Sequence, residues 1–545
     1  MTHSPASLIL SRRRMLAAML ASTAAAATGL APFAARAQDA GTPRPGGKLQ
    51  MVAPFGSALQ SLDPHATYES QDMAVSKAFH RSLYNWDSAT NSVVLELASE
   101  VKVSEDGKTF TYKLLDNIFF HNGRQMVADD VIWSYSRILA PGSSLSAISN
   151  LQNILGAQDY LDGKADHVAG LAKIDDMTFS ITFESFADPG YLLFEAVTAI
   201  LPREAVESGT LLSNPVGCGP FTFVEHIEGS RISGKKFDKY FKPGKPYADA
   251  IEFTITDDYS ALDVAFRAGE VDATVLSENG YVMYAQDPDL SKGLIEIAEM
   301  FTRHMGMNLD MKPFDDVRVR QAINYAVDRD IIIEKLLKNK AFKAVGWLPT
   351  PSSGFDPDRK PYAFDPEKAR ALLAEAGLAD GVSFEAWVTD ATSSLGVLQA
   401  MTPFLAAVGI TVTPKVVEAG VLVEAINKGE APAWFRSNGT GPDPISALRS
   451  FDSRRPRSTN RAGFKDAAYD AMLDEAMATV DPAKRIELVK KADAYIFEQA
   501  PVWFHNYNKA VLATQPWVHG VDANVTEAAI IEVDQVWLDE NAPSR

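Results

Sequence analysis

Apolar and polar residues alternate along GKTFTYKL (107–114), between the turn SEDG and the polar break DN, which predicts a strand with one buried face. In ADDVIWSYSRIL (128–139) the period changes: Val131, Ile132, Tyr135, Ile138 and Leu139 fall on one face of a helix. DDMTFSITF (175–183) returns to a turn and a strand. Later segments are more helical and better punctuated. In FDPEKARALLAEAG, Asp365 stands as N-cap, Pro366 at the first helical position and Gly377 just past the end. VDPAKRIELVKKADAYIFEQAP repeats the device with Asp481 and Pro482. DDVRVRQAINYAVDRDIIIEKLL carries a core-facing stripe at Val319, Ala322, Ile323, Ala326 and Val327. Strands such as FEAWVT and GITVTPKVV lie between these helices, an α/β organisation without internal repeats.

With 545 residues the chain exceeds one ordinary core, and length alone suggests roughly three domains. A hydrophobic content of 46% with 22% charged residues is that of a folded globular protein. The formal charge of −18 disfavours nucleic acid, which rewards a basic face, and disfavours anionic lipid equally. No stretch after residue 40 approaches the ~20 apolar residues that span a bilayer.

The N-terminus differs in kind. Arg12, Arg13 and Arg14 precede a weakly apolar, alanine-rich run that ends in Ala35-Arg36-Ala37, a small-residue cleavage site. Residues 1–37 therefore read as an export signal, and SRRRML resembles the twin-arginine type, with an ordinary Sec signal as the alternative. Cleavage after about Ala37 removes four arginines and no acid, taking the formal charge from −18 to −22. Cys218 is the single cysteine, so no internal disulfide can form, and no cysteine follows the signal to carry a lipid. The expectation is a periplasmic protein that is not a lipoprotein.

Enzyme motifs fail one after another. The chain has no His-Glu-x-x-His and no Gly-x-Ser-x-Gly, and one cysteine rules out a cysteine-based zinc cluster. EDGKTF has Lys102 where a phosphate-binding loop needs its first glycine. Ser233 to Lys236 matches Ser-x-x-Lys, yet Gly234 reads as part of a hairpin and no Lys-Thr-Gly accompanies it. NPVGCGPF leads into a strand, so no helix dipole awaits a phosphate, and Cys218 there reads as a small buried residue. Asp129-Asp130 and Asp315-Asp316 sit at helix starts. No catalytic constellation, cofactor site or metal site emerges.

Six stretches in order resemble the large periplasmic solute-binding proteins of peptide, nickel and related ABC importers, solute-binding family 5. They are SLDPHATYESQDMAVSKAFHRSLYNWD, LASEVKVSEDGKTFTYKLLDNIFFHNGRQMVADDVIWSYSRIL, NPVGCGPFTFVE, YADAIEFTITDDYSALDVAFRAGEVDA, HMGMNLDMKPFDDVRVRQAINYAVDRDIIIEKLL and KPYAFDPEKARALLAEAG. The resemblance implies an α/β, two-lobed periplasmic binding protein clamp of the large, three-domain type II variant. Domain I would take residues 46–88, 205–300 and 498–545, domain II 89–204 and domain III 301–497. Lobes of this kind close over a ligand by hinge bending. The implied partners are an ABC permease with its ATPases, and the implied state a monomer.

The resemblance also places the ligand. In peptide-binding members an extended ligand pairs with protein segments as an added strand. One segment maps to Thr67, Tyr68, Glu69 and Ser70, the other to Arg436, Ser437, Asn438, Gly439 and Thr440, with Trp434 beside it. Peptide binders carry an acid on the second segment for the ligand's α-ammonium. Alignment on Asp443-Pro444 puts Thr440 there, with Asp443 read as a helix N-cap or as a displaced acid. A buried ammonium without its carboxylate is costly, so Glu69 would have to substitute, and Thr440→Asp is expected to gain dipeptide affinity. Arg436 suits a carboxylate or phosphate, and Trp434 and Trp387 are candidates to stack a ring. Pro141 to Ser149 is a candidate domain II wall. A peptide or peptide-like solute is the leading ligand. An opine, an oligosaccharide or nickel chelated near His304 or His505 is the alternative within the fold, and a periplasmic hydrolase the alternative outside it.

Overall fold

The computed structural model describes residues 41–544, apart from 54–57 and the single positions 91, 186, 390, 391, 442, 480, 523, 527 and 529. Three larger sheets organise the described residues. In the first, Lys48–Ala53 runs parallel to Ala250–Ile255, and Arg231–Lys236 and Phe221–Ile227 continue the sheet antiparallel. The second is antiparallel throughout, with Ala98–Val103, Thr109–Leu114, Thr178–Thr182 and Leu171–Asp175 side by side. The third runs Ala273–Val275, Val502–Thr514, Leu294–Met307, Ala433–Gly439, Val382–Val388, Ile410–Val416, with Ala341–Lys343 also on Val502–Thr514.

The predicted local patterns appear in these elements. Along Thr109–Leu114 the side chains of Phe110, Tyr112 and Leu114 are buried, and the next helix, Ala128–Ile138, buries Val131, Tyr135 and Ile138. Asp365 accepts the Lys368 amide at 2.9 Å and Asp481 the Lys484 amide at 2.7 Å, each opening a helix that has proline at its first position. The stripe Val319, Ala322, Ile323, Ala326 and Val327 is buried along helix Val317–Ala326 and its C-cap, and Asp328 then caps a fresh turn by accepting the amides of Asp330 and Ile331. A π-helical turn, Ile332–Leu336, follows.

Burial falls into separate groups of side chains. One gathers Tyr112, Phe120, Tyr135, Phe179 and Phe183 around the antiparallel sheet, another Leu49, Phe79, Phe221, Ile251 and Phe253 under the first sheet. Two more, centred on Met305, Ile323 and Trp503 and on Trp347, Leu448 and Tyr469, lie within residues 305–507. The long strands Leu294–Met307 and Val502–Thr514 run antiparallel past these groups. Their ladder breaks between Ala298 and Thr302, a bulge that frees Glu299, Met300 and Phe301 from pairing with that neighbour.

Candidate ligand-binding cleft

The first predicted segment is anchored from behind. Asp63 accepts the His65 amide and receives the Arg137 guanidinium, which also donates to His65 Nδ1 at 2.8 Å. His65 Nε2 then donates to the Ala199 carbonyl at 2.8 Å, and burial holds the imidazole neutral, its pKa pushed down to about 4. Beyond this anchor Thr67 donates to Asp72 at 2.9 Å and accepts the Glu69 amide, fixing the entry into helix Ser70–Phe79. Tyr68 is 38% exposed, and its hydroxyl reaches Asn150 Oδ1. Glu69 is exposed at the N-cap position of the helix.

The second segment forms strand Ala433–Gly439, paired with Leu294–Met307 in the register Phe301↔Gly439, His304↔Arg436, Gly306↔Trp434. Trp434 is buried against Leu422, Ala425 and Ile426, over Gly306, where a Cβ would meet the indole at 2.3 Å. Arg436 is half-buried beside His304 and Arg461, and burial lowers its pKa. Ser437 is exposed. Asn438 pairs with Thr302 in the ladder, its side chain lying outside the described residues. Thr440 is buried, and both its amide, at 2.8 Å, and its hydroxyl, at 2.9 Å, donate to the Met300 carbonyl. Asp443 accepts the Ile445 and Ser446 amides at 3.2 and 3.3 Å, the N-cap of helix Pro444–Leu448.

A cavity of about 420 Å³ joins the two segments, within the range of small-molecule sites. Tyr68, Ser70 and Gly439, of the predicted residues, line it. Thr67, Glu69, Arg436, Ser437, Thr440 and Trp434 do not. Arg436 and Trp434 lie instead around His304, where a much smaller pocket is lined by His304, Trp347, Trp434 and Arg461. Trp387 lines neither pocket; it pairs with Trp434 in the sheet and has Lys415 Nζ 3.5 Å from the centre of its ring. The loop Pro141 to Ser149 touches the first segment through Ser146, which donates to the Ala66 carbonyl at 2.8 Å.

Several wall residues escaped the sequence reading. Met73 and Lys77 follow Ser70 at helical spacing, a signal that was legible. Trp86 and Phe194, their rings 6.0 Å apart, give an apolar wall. Met300 and Phe301 enter from the bulge, and Asn524, Thr526 and Ile530 from the C-terminal segment, which the Met300 amide holds through Val525 at 2.8 Å. Glu195 completes the cavity, and burial holds its carboxyl above the usual range. Lys77 is bound to Glu532 at 2.8 Å. Among the described residues no group of three His, Cys, Asp or Glu side chains is arranged to hold a metal ion.

Elements from different sheets line this cavity, and the fold is that of the two-lobed periplasmic binding proteins. The family model described as "Bacterial extracellular solute-binding proteins, family 5 Middle" matches residues 92–458, and the chain belongs to that family. The dipeptide-binding protein of Escherichia coli K12 is 28% identical over 475 residues, covering 82% of this chain and 86% of its own length. The glutathione-binding protein GsiB of Shigella flexneri is 29% identical over 476 residues, covering 83% and 87%. The ABC transporter-associated periplasmic binding protein DppA of Helicobacter pylori, solved with the peptide STSA, shares the fold. Its TM-score is 0.73 at 22% identity, over 91% of this chain and 99% of that one.

Proposed function

We propose that the protein is the periplasmic substrate-binding component of an ABC importer and carries a peptide or peptide-like small solute to a membrane permease. The observation that carries this reading is the 420 Å³ cavity between the Tyr68–Ser70 entry and the end of strand Ala433–Gly439. Backbone at Gly439 and Gly441 lines one wall, where an extended ligand finds main-chain groups without side chains in the way. The printed names of the relatives, dipeptide-binding and glutathione-binding, and a related structure with a bound peptide support the same ligand class. Domain I (46–88, 205–300, 498–545), domain II (89–204) and domain III (301–497) would close about the bulge in Leu294–Met307. Export through a twin-arginine signal cleaved near Ala37, without a lipid anchor, and a monomeric receptor without catalytic activity belong to this reading. Calorimetric titration of the mature protein with dipeptides, tripeptides and glutathione tests it. Saturable binding of at least one, at about 1 μM or tighter, is expected. Binding confined to an opine, an oligosaccharide or a nickel chelate would overturn it.

A further inference from the structure

We propose that Glu195 receives the cationic end of the ligand, so that the cleft selects small solutes carrying an ammonium group. This rests on the peptide-receptor reading and specifies which part of the ligand is held, and where. Two wall side chains set the charge of the cavity, Lys77 and Glu195. The charge of Lys77 is already answered, because its Nζ donates to Glu532 Oε1 at 2.8 Å and to Asn85 Oδ1. Glu195 has no ion-pair partner among the described residues. Its carboxylate takes a long hydrogen bond from a neutral donor, Asn150 Nδ2 at 3.4 Å, with the Tyr68 hydroxyl beside it. The charge of Lys77, spent on Glu532, offsets only part of the cost of burial, and a carboxylate whose hydrogen-bond donors are neutral is stabilised further when a counter-charge arrives.

The backbone that carries the carboxylate is also held in place. The Glu195 carbonyl accepts Ser82 Oγ at 2.7 Å and Thr198 Oγ1 at 2.9 Å, fixing the backbone where the short helix Ala196–Thr198 begins. Preorganisation of this kind lets a ligand bind without ordering the site first. Phe194 and Trp86 also line the cavity, two buried aromatic side chains that keep water away from the carboxylate. Among the described residues no other acid lines the cavity: Gly439 and Gly441 contribute no side chain, and Thr440 is turned onto Met300. Glu69, the substitute suggested by the sequence, is exposed and does not line the cavity.

The test compares wild type with Glu195→Gln, which keeps the shape and the Asn150 contact. Both are titrated with dialanine, N-acetyl-dialanine, glutathione and putrescine, and a melting curve checks the fold. Wild type is expected to bind a free-amine peptide at least tenfold more tightly than its N-acetyl form, and the variant to lose at least tenfold and that preference. The variant should melt no lower than wild type near pH 8, since a neutral amide replaces an uncompensated carboxylate. Should the variant misfold, the wild-type preference for free amine over N-acetyl decides alone. Equal binding of the free and acetylated forms, or a variant within twofold of wild type, overturns the inference and leaves the peptide reading standing. Binding of putrescine alone, lost in the variant, supports Glu195 and overturns the peptide reading. If wild type binds none of the four, both fall.

Discussion

Thr440 uses two donors, its amide and its hydroxyl, on one acceptor, the Met300 carbonyl at the bulge. That arrangement reverses the expectation that an acid at this position would gain a ligand ammonium. In Thr440→Asp a carboxylate would face a buried carbonyl, two acceptors opposed without a proton between them. The variant is expected to lose about 1–3 kcal/mol in urea denaturation and to gain no dipeptide affinity, while Thr440→Ser stays near wild type. Tighter dipeptide binding by Thr440→Asp would contradict this geometry. At this scale legibility depended on locality. Asp443 was read as a cap because Asp-Pro at a helix start is a signal within four residues, and it accepts the Ile445 and Ser446 amides. Glu195 was not singled out, because a lone acid in FEAVT acquires meaning from residues such as Asn150 and Tyr68, far away in sequence.

Helix Ser70–Phe79 joins the cavity to a buried charge network. Lys77 near its end meets Glu532, and Arg81, whose side chain is fully buried, lies 2.9 Å from Glu532 and 3.4 Å from Asp534. Lys242 reaches Asp534 at 3.0 Å and Glu96 at 2.7 Å. The C-terminal segment that supplies part of the cavity wall is thus tied to the helix that supplies another part. Glu532→Gln leaves Lys77 and Arg81 short of one counter-charge in a dry place, and about 3–5 kcal/mol of stability should be lost. Although burial alone would raise its pKa, the surrounding cations hold the Glu532 carboxyl well below its ordinary value. Its contribution is therefore fully present above the unfolded pKa of about 4.5 and lost as pH falls through the lower folded value. The gap between wild type and variant in denaturant midpoint should stay constant above about pH 5.5 and narrow on acidification. A gap that widens in acid would contradict the assignment. Elements with a local period and a cap were legible, as at Asp365 and Asp481. The bulge at Met300 was hidden because it exists only in the pairing of two strands about two hundred residues apart.

For the whole molecule, the ordered set of six family-like stretches carried more than any single motif, and the family match over residues 92–458 agrees with it. What one-dimensional reading missed was the enclosure: the cavity draws walls from residues 68–86, 194–196, 300–301, 439–441 and 524–530, brought together by chain crossings that leave no local trace. The ammonium contact proposed at Glu195 lies outside the Arg436–Thr440 segment that the sequence singled out. The most direct test of the account is native mass spectrometry of the mature protein isolated from its own host, compared before and after denaturation. The expected result is a one-to-one, non-covalent complex with a small peptide or peptide-like molecule that bears a free amino group, released when the protein unfolds. A retained ligand without any amino group would contradict it.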